Sequence, residues 1–288
     1  MLRLWMMSLW MMVLPNAPVP SVLAPHGGPL WAMAERTHQD APVIIEKKPG
    51  ESQAKAMKLP FLLATRTTNY NHATPSQAKN IELVAQRLNG AVVQPGQVFS
   101  YYKRVGPYTK ENGFGWGRMF VGDRIVPSIG GGVCQGSSTL YSAILRTGLQ
   151  VLERHHHGLT VPYLPPGEDA TVANDYLDFQ FRNTRTTPVL ITAQAGNRHL
   201  TVSLWGGSPG PEIVVKHQIL SEAPFRTITQ ADPDLKPGET KVLAPGQTGV
   251  TVRSWLEVKT PSGTEIKNLG VDRYLPSPRI VAVGPKSS

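Results

Sequence analysis

The sequence predicts an α+β fold, helices packed on a mostly antiparallel sheet, followed by a small all-β domain. Three observations carry that prediction. Two segments repeat apolar residues at helical spacing and have recognisable start and stop signals. The runs around them alternate apolar and polar residues between short turns, the period of a strand with one buried face. Beyond residue 212 the helical pattern disappears, while valine, threonine and turn dipeptides multiply.

Taken in order, Met1-Leu2-Arg3 and the apolar run ending at Leu14 have the form of a secretory leader, and Ala32 to Ala34 offer small residues before Glu35, so residues 1–34 read as a signal peptide or an N-terminal anchor. The apolar run is short for a bilayer span; uncleaved, it provides membrane association. Residues 35–57 mix charge, proline and glycine without apolar period and read as a linker. A first domain follows over residues 58–207. "LPFLLATRTTNY" reads as a strand and a polar turn, and "SQAKNIELVAQRLNG" as a helix with Ile81, Val84, Ala85 and Leu88 on one face and Gly90 as its stop. "AVVQPGQVFSYYKRVG" reads as two short strands around Pro95-Gly96, and "DRIVPSI" as another strand. From Cys134 to about Thr147 the spacing predicts a second helix, with Leu140, Tyr141, Ile144 and Leu145 on one face and Gly148 as its stop. Strand-like runs then lead to "GGSPGPE", a hinge at 206–212, and to the all-β domain over 212–284.

The formal charge is +9 and the isoelectric point about 9.7, but the lysines and arginines are scattered, with neither a basic run nor interleaved aromatics, so no nucleic-acid partner is expected. An exported basic protein instead meets anionic wall polymers or lipid headgroups, although such charge also serves solubility alone. No phosphate-binding loop is present, and three consecutive histidines on a strand cannot converge on one ion, so neither cofactor nor metal is expected.

Cys134 is the only cysteine of the 288 residues and cannot form an intramolecular disulfide. Three glycines precede it and a helix begins at it. Free N–H groups and the positive end of the dipole at a helix start favour thiolate, the reactive form. A small cysteine buried under a tight turn is the bland alternative. A helix of some fourteen residues runs about 20 Å and an extended return from Gly148 covers about 30 Å, so a histidine of "HHH" can lie beside the thiol. Alternation puts His155 and His157 on one face and His156 on the other. Asp169, Asp175 and Asp178 follow, any of which can orient an imidazole. Gln135 or the helix-start amides can stabilise an oxyanion, while Ser137, Ser138 and Thr139 are expected to satisfy helix-start amides.

"NGAVVQPGQVFSYYKRVG", "ENGFGWG", "GGGVCQGSSTLYSAIL", "LERHHHGLTVPYLPPGEDATV" and "LDFQFRN" resemble the VanW family of exported Gram-positive proteins over about half the chain. The resemblance implies that the family's histidine is His157 and its Asp-Ala-Thr is Asp169, Ala170 and Thr171; Gly136-Ser137-Ser138 departs from the family's hydrophobic residue followed by Ser/Thr-Thr. The order Cys, His, Asp is also similar to that of transglutaminase-like and NlpC-type cysteine enzymes. The C-terminal stretch, with Gly238, Gly246, Gly249, Gly263 and Gly270, resembles the five-glycine extracellular domain, which implies adhesion or the binding of wall sugars. Two readings follow. In one, a Cys134–His157–Asp169 site acts as an amidase or acyl transferase on peptidoglycan peptides. In the other, a non-catalytic module binds peptidoglycan on a platform of Phe99, Tyr101 and Trp116.

Overall fold

The structure, a computed structural model, describes residues 50–121 and 124–285. The leader and most of the expected linker lie outside the described residues. The last residues of that linker form a short helix, α1 (Glu51–Ala56). Its buried Ala54 packs with Leu59, Leu190 and Trp205, so the segment has a core contact that its polar composition did not advertise.

The central sheet has the order β1 (Phe61–Asn69), β9 (His199–Gly206), β8 (Val189–Gly196), β2 (Ala91–Val93), and every neighbouring pair is antiparallel. Two helices cover one face of it. The first, α2 (Pro75–Leu88), buries Ile81, Val84, Ala85 and Leu88, with Thr74 capping its start by accepting the Gln77 amide. The second, α4 (Val133–Ile144), lies against β1 and β9. The apolar part of β8 and nearly all of β9 are buried on both faces, because α1 and Trp205 close the side away from the long helices.

The two strands around Pro95-Gly96 are β2 and β3 (Val98–Ser100), but they do not pair with each other: β2 joins β8, and β3 joins β7 (Gln180–Arg182). "YYKRV" is a short helix, α3 (Tyr101–Val105). Ser100 caps it, and Asp178 accepts both the Ser100 hydroxyl and the Tyr102 amide. A hairpin of β4 (Trp116–Val121) and β5 (Arg124–Ile129) leads into α4, which is followed by β6 (Gln150–Glu153) against β7. Regular structure then lapses. Between β6 and β7 only the bridges His155–Thr171 and Ala173–Leu177 are formed.

The C-terminal part is all-β, with one sheet of β10 (Ile213–Ala223), β13 (Gly249–Thr260) and β14 (Gly263–Tyr274), and another of β11 (Thr227–Ala231), β15 (Ser277–Val283) and β12 (Thr240–Gln247). Only β11 and β15 run parallel. Leu256 and Val258 of β13 belong to the same buried cluster as Leu140 and Ile144 of α4, so the second part shares apolar burial with the first. Among the described residues no helix is long and apolar enough to cross a membrane.

Candidate active site

The site begins with the turn that starts α4. Gly132 has φ +106°, a left-handed conformation that an L side chain adopts only with strain. Asn80 of α2 staples the turn: its amide donates to Gly115 O and Gly131 O, both at 2.9 Å, and its oxygen accepts the Gly115 amide at 2.8 Å. The buried Tyr101 hydroxyl donates to Val133 O at 2.8 Å. Gly136 lets α2 approach closely, since a Cβ there would collide with Val84 and the Tyr101 hydroxyl. That contact is the physical reason for a glycine where the resemblance leads one to expect a hydrophobic side chain.

Cys134 is half-buried in the first turn of α4. Its Sγ lies 3.4 Å from Val172 O and 3.7 Å from Thr171 Oγ1, and it interacts electrostatically with the His157 side chain. His157 is 3% exposed. Its Nδ1 meets Asp169 Oδ2 at 2.6 Å and its backbone amide donates to the same oxygen at 2.8 Å. Asp169 is fully buried; its Oδ1 accepts the Tyr274 hydroxyl and, at 3.2 Å, Arg154 Nη2. Arg154 also donates to Asp169 O at 2.7 Å and pairs with Asp272 at 2.6 Å.

The electrostatics follow from this geometry. Burial pushes the Asp169 carboxyl up, but the His157 bond and the charges of His157 and Arg154 outweigh it and hold the group below the ordinary carboxylate range. Burial lowers His157, while its bonds to Asp169 and Cys134 prevail and raise it to about 9. For Cys134 burial favours the thiol, yet the hydrogen bond and charge of His157 leave its pKa below the ordinary value. The three groups therefore each shift toward the charged form, the thiol and the carboxyl downward and the imidazole upward.

The structure separates the other sequence-predicted residues. Gln135 is 5% exposed and its amide nitrogen donates to Thr68 Oγ1 and Asn69 O, so it ties α4 to β1. Phe99 stacks on Phe181 with centroids 5.1 Å apart, and Tyr101 is wholly buried; of the expected aromatic platform only Trp116, 55% exposed with Lys110 over its ring, faces solvent. The strand ends at Glu153, so His155 and His157 do not share a face: His155 turns outward to Glu153, and His156 lies edge-on to Tyr274. Asp175 is exposed and Asp178 caps α3. Ser137 and Ser138 bind the backbone of Ala170, not helix-start amides, while Thr139 meets Thr68 and Gln135 O; the serines thereby hold the Asp169 segment against α4. Among the described residues no cluster of His, Cys, Asp or Glu is arranged to hold a metal ion.

Sequence reasoning missed Asn80, Arg154, Tyr274 and Asp272. Asn80 left a signal, since it lies four residues before Val84 on the inward stripe of α2, where an amide needs partners. The others left none, because their relation to the site is purely spatial.

Comparison with known proteins agrees with this organisation. Residues 76–205 match the family model "VanW like protein", and residues 214–286 match the model "G5 domain". The chain is 37% identical over 143 residues to YoaR of Bacillus subtilis (strain 168), described as uncharacterized, a match covering 50% of this chain and 47% of that protein. It is 31% identical over 140 residues to the vancomycin B-type resistance protein VanW of Enterococcus faecalis (strain ATCC 700802 / V583), covering 43% of this chain and 50% of that one. The chain thus spans about half the length of each of these relatives. The IgA1 protease G5 domain structure matches with 25% identity and a TM-score of 0.19, over 27% of this chain and 94% of that domain. The chain is therefore organised as a region that matches the VanW-like family over residues 76–205, followed by one that matches the G5 domain over residues 214–286.

Proposed function

We propose that the protein is an exported cell-envelope enzyme of Gram-positive type whose VanW-like domain cleaves or transfers peptide bonds of peptidoglycan, with Cys134 as nucleophile, His157 as acid and base, and Asp169 as the group that orients the histidine. The observation that carries this reading is the buried His157 Nδ1–Asp169 Oδ2 pair at 2.6 Å, whose imidazole interacts with the Cys134 thiol at the start of α4. The Cys134 thiolate attacks the carbonyl carbon of a substrate amide and forms a C–S bond, and the electron pair of the carbonyl moves onto its oxygen. The amide of Cys134 at the helix start is the donor assigned to that oxyanion, since the Gln135 side chain is engaged by β1. Collapse breaks the C–N bond as the imidazolium of His157 protonates the leaving amine, leaving a thioester. Neutral His157 then takes a proton from water or an acceptor amine, which attacks the thioester. The acyl product departs and the thiolate–imidazolium pair is restored.

Binding to the wall is assigned to the G5 domain, with Trp116 as one exposed aromatic of the first domain. The positive charge of the chain supports an anionic polymer as partner. The experiment is to incubate the full chain with purified peptidoglycan, measuring newly released or transferred amino groups together with co-sedimentation. The expected result is turnover by the parent, none by Cys134→Ala, and equal co-sedimentation of the two. Equal co-sedimentation with no turnover by either protein overturns the enzyme in favour of a binding module.

A further inference from the structure

We infer that the G5 domain is a working part of the thiol site, with Tyr274 at the end of β14 acting as a positioning residue for Asp169. This rests on the Cys134–His157–Asp169 reading. The segment between β6 and β7 carries both His157 and Asp169, yet its only regular pairing is two isolated bridges. Such a segment keeps its shape only through side chains and neighbouring elements. The serines of α4 hold it from one side, and the G5 domain holds it from the other.

The G5 contacts fall on the residues that matter. The Tyr274 hydroxyl accepts the Gly167 amide at 2.8 Å and donates to Asp169 Oδ1. Asp272, two residues earlier, pairs with Arg154 at 2.6 Å, and Arg154 in turn meets the same Oδ1 at 3.2 Å. Leu275 N donates to Gly158 O at 2.7 Å, beside His157. Gly167 has φ +95°, and a Cβ there would collide with the Ser254 hydroxyl of β13, so the loop is shaped for this close approach. With Oδ1 held by two donors that depend on β14, the carboxylate cannot rotate, and Oδ2 stays aimed at His157 Nδ1. Movement of β14 is thereby transmitted through Asp169 and His157 to the thiol.

The test is the pH profile of Cys134 alkylation by iodoacetamide in the full chain. The titratable and charged groups facing Asp169 and the thiol are His157, Arg154, Tyr141, Tyr163, Tyr274 and, across the thiol, Tyr101 and Tyr108. The variant His157→Ala defines the profile of an uncoupled thiol. Tyr274→Phe keeps the ring and removes the hydroxyl; its profile is expected to move toward that of His157→Ala, slowing alkylation at pH 7 about threefold or more, given a tenfold change in thiolate per pKa unit. Asp272→Asn loosens Arg154 and is expected to move the profile the same way by less. Gln247→Ala removes an interface bond to Thr160 that does not reach Asp169 and is expected to leave the profile in place. Near-UV circular dichroism establishes folding, and if Tyr274→Phe does not fold, Asp272→Asn decides. An unmoved profile in the β14 variants, with a shifted one in His157→Ala, overturns the positioning role alone. An equal shift in Gln247→Ala also overturns it, as general docking. An unmoved profile in His157→Ala overturns the thiol–imidazole reading itself.

Discussion

Replacing Asp169 with asparagine removes a charge and one acceptor from a place where all the neighbours donate. Oδ2 takes the His157 ring at 2.6 Å and the His157 amide at 2.8 Å; Oδ1 takes Arg154 at 3.2 Å and the Tyr274 hydroxyl. The tyrosine oxygen already accepts the Gly167 amide, which leaves its hydrogen for Asp169. An amide NH2 must therefore turn toward two donors, whichever way it is placed. Hydrogen bonds to a charged group contribute about 1.5–3 kcal/mol each, and breaking a buried ion pair by removing one partner costs about 3–5 kcal/mol. Asp272 still neutralises Arg154 in part, so the expected loss is toward the lower end, about 3 kcal/mol. Urea denaturation followed by intrinsic fluorescence at pH 7 measures it. The pH dependence supplies an internal check. The folded pKa of Asp169 is depressed, so its contribution is fully present above the unfolded carboxylate value of about 3.9 and disappears as pH falls through the lower folded value. The gap between parent and Asp169→Asn should hold from pH 7 to pH 5 and shrink below pH 4. A loss under about 1 kcal/mol at pH 7, or a gap that persists unchanged in acid, would refute the bonded carboxylate.

Phe99→Ala should cost about 3–5 kcal/mol, because the ring is buried against Phe181, whereas Trp116→Ala at an exposed position should stay within about 0.5 kcal/mol; thermal unfolding of the two separates core from surface, and similar costs would contradict the assignment. Gly136→Ala should lose about 1–3 kcal/mol through overpacking against Val84 and Tyr101, with Tyr101→Phe in the same chain expected to recover part of it. In 1H–15N spectra His157 should keep both ring protons to about pH 9, and Cys134→Ala should lower that titration, because the thiolate is one of the groups that raises it. Identical titration in the two proteins would show that the ring does not sense the thiol.

Much of the scaffold was legible in the order of residues. The α4 pattern of apolar positions and the glycines on either side placed Cys134 in a first helical turn, and alternation located β8 and β9. These features depend on neighbours one to four residues apart, which is what a helical or pleated period encodes. The same local rules misled at "HHH", where strand alternation paired His155 with His157. The strand had already ended, and the chain turns so that one imidazole is 43% exposed and the other 3%. Aromatics quoted together as a platform divided in the same way, since Phe99 and Tyr101 fill the core beneath α4.

By itself the sequence determined that a lone thiol would stand at a glycine-led helix start, in an α+β domain joined to an all-β one. Only the tertiary structure decided which of three aspartates meets His157, that Gln135 serves β1, and that Tyr274, 105 residues from Asp169, completes the carboxylate's set of donors. The physical reason is that a buried charge must find its donors wherever the packed chain brings them, and the spacing of residues along one element carries no information about another element that arrives from the far end of the chain.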